Sequence, residues 1–406
     1  MNRVIRSGTI VPFAHGPRLR ARGFTLVELM VSVTVGLLVT LAALALFLNT
    51  SRTNREMAKT GDVVDAARSA VQVMKDDIIH AGFWGAYVPQ FDDVTALGVP
   101  SSDVPTAVPD PCLAYSTANW DAAYVNGLLG IPVESYDPTG ASFKCDGIVL
   151  SRQANTDILV VRHASTCVAG AAGCPAAVTN ALYFQASLCD NELGATPPYR
   201  YVLAKMPASA PDTVFPLKNR GCTGAPPSTV GTIADKRKFV STIYYIRDYA
   251  NTAGDGIPTL MRAQFDLSGT TPAFVAAVPL IQGLQGFRVE FGTDSLSKTG
   301  AAVDYTVATD WSDTYNRDTA TNRGDGQPDG DYVRCSPVCT AAQLRDVVTV
   351  RIHLLARAES PSFDYTDSKT YNLGSTTLGP FGDQYKRHVF STTIRLNNTS
   401  GRREFP

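Results

Sequence analysis

The sequence predicts an α+β protein. One long N-terminal helix, first transmembrane and then amphipathic, leads into an antiparallel β-rich globular head closed by disulfides. Three observations predict this. Residues 24–48 form an apolar run broken by a single charge, Glu28. No proline occurs from Arg18 to Val88. All eight cysteines lie further on, among short β-prone runs separated by Gly, Pro, Ser, Thr and Asn.

The apolar run comes first. At ~1.5 Å per residue it is long enough to cross a hydrocarbon core of ~30 Å. Arg3, Arg6, Arg18, Arg20 and Arg22 precede it, with no acidic residue among them. The positive-inside rule therefore keeps the N-terminus in the cytoplasm and exports the rest. A secretory signal peptide would carry a shorter apolar core ending at a small-residue site, which only Ala43 and Ala45 imitate. A plain anchor explains the length but not Glu28. A charge at the centre of a membrane helix costs roughly 2.5–3.5 kcal/mol, less near its end.

Polar residues follow Leu48, but the chain stays helix-compatible to about Ala81, for a helix of ~87 Å counted from Phe24. Val64, Ala67, Val71, Met74 and Ile78 recur at helical spacing and form one stripe, against which the head is expected to pack. Gly82 and Gly85 end the helix.

The cysteines are Cys112, Cys145, Cys167, Cys174, Cys189, Cys222, Cys335 and Cys339. Their even number, the lack of any C-x-x-C pair and their place in the exported part favour disulfides in an oxidising compartment. Cys167 with Cys174, and Cys335 with Cys339, are local candidates; eight cysteines allow 105 pairings. Residues 146–152 and 156–164 read as β-prone. Beyond residue 239 the strands are clearer, at 239–248, 259–265, 284–292, 347–357 and 388–398. In Val347–Arg357, alternate residues Val348, Val350, Ile352, Leu354 and Ala356 share one face, as in a sheet with one buried side.

Little points to chemistry. His15, His80, His163, His353 and His388 show no metal-ligand spacing. An S-x-x-K and a K-T-G overlap at 295–300, where a penicilloyl-type site needs them apart. Asn322, Asp325, Asp329 and Asp331 offer oxygens, but their spacing is not that of a calcium loop, and Asp-Gly is ordinary turn chemistry. No metal, cofactor or catalytic residue is assigned. A net charge of −1 gives no reason to expect a nucleic-acid partner.

Gly23-Phe24-Thr25-Leu26-Val27-Glu28, behind a basic leader, resembles the signal of type IV pilins and type II secretion pseudopilins. That resemblance implies cleavage by a prepilin peptidase between Gly23 and Phe24, N-methylation of Phe24, and a role for Glu28 in subunit docking. The runs at 244–248, 256–262, 280–294, 347–357 and 386–398 resemble, in that order, the PilW family of type IV pilus assembly proteins, which are large minor pilins. A type IV pilin-like fold is then expected. Its parts are a cleaved leader (1–23), a transmembrane assembly helix (24–48), an amphipathic continuation (49–82), a variable disulfide-rich part of the head (83–239) and a PilW-like sheet part (240–406). The implied function is that of a minor pilin in the complex that primes the pilus and sits at its tip. The implied partners are other minor pilins, the major pilin, the inner-membrane assembly machinery and, before assembly, membrane lipid. The implied location is the bacterial inner membrane with the head in the periplasm, and then the pilus. A J-like pseudopilin of type II secretion is the alternative within the class; a membrane-anchored periplasmic enzyme is the alternative outside it.

Overall fold

A computed structural model describes residues 23–95, 98–100, 103–137 and 143–404. The chain divides into two compact units, Met1–Met57 and Ala58–Pro406. The five leader arginines lie outside the described residues.

Helix α1 is continuous over Leu26–His80. Four short helices come next inside the head, α2 (Ala122–Gly130), α3 (Asp190–Leu193), α4 (Pro211–Val214) and α5 (Ala341–Arg345), and α6 (Asn397–Arg403) closes the chain. Among the described residues there are thirteen strands: β1 (Val133–Tyr136), β2 (Ile158–Val168), β3 (Leu182–Ala186), β4 (Tyr201–Lys205), β5 (Lys236–Arg247), β6 (Thr259–Ser268), β7 (Thr271–Phe274), β8 (Val278–Gln282), β9 (Leu284–Thr293), β10 (Val347–Arg357), β11 (Tyr371–Leu373), β12 (Thr376–Leu378) and β13 (Arg387–Arg395).

Strands β1 to β8 form one antiparallel sheet, with β5 at its centre between β2 on one side and β3 and β6 on the other. This sheet runs across residue 239 and joins the disulfide-rich segment to the strands beyond it. A second sheet has the order β13-β10-β9, and β11 and β12 form a separate hairpin. Gly283 is the hinge between the sheets. Its φ of +78° is open to glycine and strained for other residues, and an added Cβ would lie 2.8 Å from the Arg357 carbonyl.

Both sheets pack on the helix. The buried ridge is Val63, Ala67, Ala70, Met74 and Ile78, with Val64 and Val71 only half-buried beside it. The stripe read from sequence is thus rotated slightly, because Ala70 lets the sheets approach closely where Val71 would not. The ridge meets Leu159, Tyr244 and Leu260 of the first sheet and Phe287, Val350, Ile352 and Leu354 of the second. The opposite face of the first sheet carries an aromatic core of Trp84, Trp120, Phe184, Phe239 and Phe265, covered by α2.

Strand β10 departs from the one-sided expectation. Nearly every residue in it is buried, on both faces. Val350, Ile352, Leu354 and Ala356 join the core around the helix as the alternation predicts, but at the start of the strand a register shift between Val347 and Thr349 puts Val347 there instead of Val348. The other face is roofed by the long connections around it. His353 meets Glu290 at 3.2 Å, Thr349 donates to the Tyr332 hydroxyl at 3.0 Å, and Leu355 packs on Tyr371 and Leu373. A central strand under loops need not be apolar on its second face when each polar group finds a partner. The β-prone run at 146–152 is a turn: the Cys145 carbonyl accepts from both Ile148 and Val149 N–H at 2.9 Å, curling the chain.

The disulfides join Cys112 to Cys145, Cys167 to Cys174, Cys189 to Cys222, and Cys335 to Cys339. Buried charges tie the layers together. Asp157 at the start of β2 accepts from Arg288 of β9 at 3.1 Å and from Arg334 at 2.6 Å. Asp77 of α1 accepts from the Tyr244 hydroxyl at 2.9 Å and pairs with His163 of β2 at 3.1 Å. Helix α6 binds the end of α1. Asn398 donates to the Ala81 carbonyl at 3.2 Å, and Arg402 to the Gly82 carbonyl at 3.2 Å. Buried Arg403 holds Asp92 at 2.5 Å and Asp294 at 3.3 Å.

Asp294 also accepts backbone N–H bonds from Asp325 at 3.1 Å and Gly326 at 2.9 Å. Burial pushes its carboxyl up to about 6, and Arg403 and the two N–H groups pull it only part of the way back. An unfolded aspartate titrates near 3.9. The folded state therefore holds the proton more tightly, and stability from this group is lost as pH rises from about 4 to about 6. We expect Asp294→Asn to gain stability relative to the parent across that window. Denaturant titrations of both proteins at several pH values check this; a difference that stays flat contradicts it.

Candidate functional site

The first turn of α1 is built as a reciprocal cap. Thr25 precedes the helix, and its hydroxyl accepts from the Glu28 N–H at 3.2 Å. The Glu28 carboxylate reaches back through Oε2 to accept from the Thr25 N–H and hydroxyl, both at 2.9 Å. This S/T-x-x-E arrangement satisfies helix N–H groups that have no carbonyl to bind. It is visible in the sequence as Thr25-x-x-Glu28, although the charge of Glu28 draws attention away from it. Glu28 therefore has a partner within its own subunit.

The helix after this cap is bare. An 18-residue window of α1 reaches a mean hydropathy of 2.5, and none of that window is buried by the protein itself. Leu26, Val27, Leu46 and Phe47 are each more than two-thirds exposed. Its few hydroxyls close back on the helix: Ser32 donates to the Leu29 carbonyl at 2.9 Å and Thr34 to the Met30 carbonyl at 2.7 Å. Such internal bonding is what a segment without water around it requires. A continuous apolar surface of this kind is covered by lipid or by other helices.

Gly23 lies before the cap, outside the helix, and nothing stands within 4 Å of where its Cβ would be. The fold itself does not demand glycine there. Phe24 is 86% exposed. The oxygen-rich segment is used internally. Asn322 accepts from the Asp310 N–H at 2.9 Å, Asp325 from the Gln327 N–H at 2.9 Å, and Asp329 from the Ser295 and Leu296 N–H groups at 2.7 Å. No group of three or more metal-ligating side chains occurs among the described residues. The histidines serve separate partners: His80 donates to the Asp76 carbonyl at 2.6 Å, His163 contacts Asp77, and His353 contacts Ser391 at 2.7 Å. His15 lies outside the described residues.

Comparison with known proteins decides what this helix is for. Residues 18–44 match the prokaryotic N-terminal methylation motif, and residues 243–398 match the family described as Type IV Pilus-assembly protein W. The chain is a minor pilin of the type IV pilus, similar over its C-terminal part to PilW. The methylation motif spans the cap and most of the bare helix, and the PilW match runs from β5 to the start of α6. This minor pilin is therefore anchored by its prepilin signal and apolar helix and associated with the pilus. The family it matches over residues 243–398 is one of pilus assembly. No protein of curated function matches it. A solved type IV-like pilin from Thermus thermophilus aligns over 83% of this chain and 96% of its own, at 10% identity and a TM-score of 0.31, too loosely to bear on the fold.

Replacing Thr25 by Ala removes the hydroxyl half of the cap but keeps the Glu28 charge. Loss of a Thr N-cap costs about 1 kcal/mol. Amide exchange in the first turn of α1, measured in detergent, should rise about fivefold; unchanged protection would mean that the cap does not hold this turn.

Proposed function

We propose that this minor pilin is trimmed between Gly23 and Phe24 by a prepilin peptidase and methylated on the new N-terminus. It stands in the bacterial inner membrane with its head in the periplasm. It then joins other minor pilins and the major pilin, through the inner-membrane assembly machinery, in the complex that primes the pilus and remains at its tip. Its work is structural and not catalytic. The proposed division is a leader to residue 23, a span at 24–48, an amphipathic helix at 49–82 and a head in two parts that meet near 239. The observation that supports this most is the apolar, uncovered helix beginning at a capped glutamate, directly after the cleavable Gly23-Phe24 bond.

Glu28 acts as a register pin in this reading. Cleavage creates an ammonium at Phe24, one residue before the cap. Packed beside another subunit in a low-dielectric setting, that ammonium is costly alone and tolerable opposite a carboxylate. The bonds from Thr25 hold Glu28 in place at the level of its own N-terminus, so that it faces a neighbour's ammonium at one axial offset only.

The mature protein should begin with N-methyl-Phe24, and Gly23→Val should abolish trimming. Mass spectrometry of the purified protein reads both; an intact leader in the parent, or normal trimming of the variant, sinks the processing step. Glu28→Val should leave insertion and trimming intact yet weaken docking more than a hundredfold. Removing one partner of a buried pair costs on the order of 3–5 kcal/mol, at ~1.4 kcal/mol per decade. Thr25→Ala, which keeps the charge, should assemble far better. Surface pili and cross-links to other minor pilins, counted at matched protein levels, separate the pin from the cap. Equal assembly of Glu28→Val and parent would reduce Glu28 to a capping residue.

A further inference from the structure

Three polar side chains form a row across the second sheet, on the face turned away from α1. Glu290 comes from β9, His353 from β10 and Ser391 from β13. His353 and Ser391 are directly opposed across their ladder, and Glu290 stands opposite Arg351, two residues from His353. The His353 ring lies between the other two. Its Nδ1 is 2.7 Å from the Ser391 hydroxyl oxygen, and its Nε2 is 3.2 Å from Glu290 Oε2. His353 and Glu290 are buried, whereas Ser391 is exposed on the outermost strand of its sheet.

The acid sets the protonation of this row. Burial alone would raise the Glu290 carboxyl. The Ser375 N–H, donating at 2.7 Å, the Ser375 side chain and His353 together hold it below its usual value instead. An ionised carboxylate can only accept hydrogen bonds. The ring proton is then on Nε2, and Nδ1 keeps a lone pair. It follows that the Ser391 hydroxyl donates to Nδ1. The turn between β11 and β12 packs on the acid, and Gly374 leaves room where a Cβ would collide with the carboxylate. A serine hydroxyl aimed at an imidazole lone pair, with a carboxylate behind the ring, is the arrangement that activates serine as a nucleophile.

We infer that Ser391 is a modification site, whose hydroxyl takes an acyl group from a carboxylic ester and keeps it as a serine ester. The bond from Oγ to the carbonyl carbon forms as the hydroxyl proton passes to His353 Nδ1. The C–O bond of the donor ester then breaks, and the same proton leaves with the alcohol. Nothing is oxidised or reduced. Glu290 is a positioning residue: it holds the ring and faces the imidazolium as that forms. Arg351 is the next residue along this face of β10, about 7 Å from His353. It donates at 3.2 Å to Thr393, the next residue along this face of β13 from Ser391. A positive charge thus lies near the serine for the carbonyl oxygen that becomes negative. Ser391 stands open to esters in solution; attachment once per chain, not turnover, is what such a site supports. This goes beyond the assembly role and does not depend on it.

The test uses the full-length chain in detergent and p-nitrophenyl acetate. A general base contributes ~10²–10⁴-fold. The expected result is one acetyl group on Ser391, found by peptide mass mapping and formed at least a hundredfold faster than on Ser360. That serine is also exposed but makes no hydrogen bond to an imidazole among the described residues. Ser391→Ala should remove the adduct, and His353→Gln should slow it by the same factor. Should His353→Gln fail to fold, the ratio of Ser391 to Ser360 in the parent decides alone. Nitrogen-15 NMR of the imidazoles should place the His353 ring proton on Nε2, and Glu290→Gln should lose that preference and acetylate more slowly. The inference is overturned by no adduct on Ser391, by a rate there equal to that on Ser360, or by an unchanged rate in a folded His353→Gln chain. A ring proton on Nδ1 in the parent, or an unaltered tautomer and rate in Glu290→Gln, overturns it as well.

Discussion

One helix here must satisfy two solvents, and the rest of the structure depends on that. Up to Leu48, α1 is apolar all round, because lipid or other helices meet it from every side. From Val63 it is apolar along one ridge only, because a head covers that ridge and water meets the rest. The change of pattern happens inside a continuous helix without a proline or a break. Two sheets converge on the five ridge residues, and two of these are alanines. Small side chains there let the strands come close, so that residues as large as Phe287 and Tyr244 fill the space between.

The head is then held by charges placed where strands alone would leave gaps. Asp157 links the start of β2 to β9 and to Arg334, and Arg403 gathers Asp92, Asp294 and Asp346 beneath the end of α1. Such clusters are costly to bury and costlier to break, since each partner left behind is a buried charge. They do not add much net stability. They specify which ends meet, and that matters in a head whose sheets are joined at a single glycine.

Much of this was legible in the sequence. The span, the proline-free helix and the strands at β5, β6, β9, β10 and β13 announce themselves by period and length. What was hidden depended on long-range cover. Alternation in β10 marked the face toward α1, but nothing in 347–357 reveals that loops distant in sequence roof its other side. Residues 146–152 have strand composition, yet they curl into a turn that begins at Cys145. Val71 looked like a ridge position because it is larger than Ala70, whereas close approach of the sheets selected the smaller residue. At the N-terminus the Thr25 cap was readable, as a four-residue pattern, and was obscured by the more conspicuous charge in it.

The disulfides carry a consequence for the making of the protein. The cysteines are bonded in consecutive pairs along the chain, first to second, third to fourth, fifth to sixth and seventh to eighth, at separations of 33, 7, 33 and 4 residues. No bond reaches back across another. A chain that emerges from its N-terminal side, as the proposed export would have it, presents the cysteines in that same order. Oxidation that simply tracks emergence therefore yields the native set, each loop closing before the next pair arrives. Such a head has no need of a shuffling step, and its covalent framework is complete once Cys339 has emerged, with α6, the clasp on the end of α1, still to come.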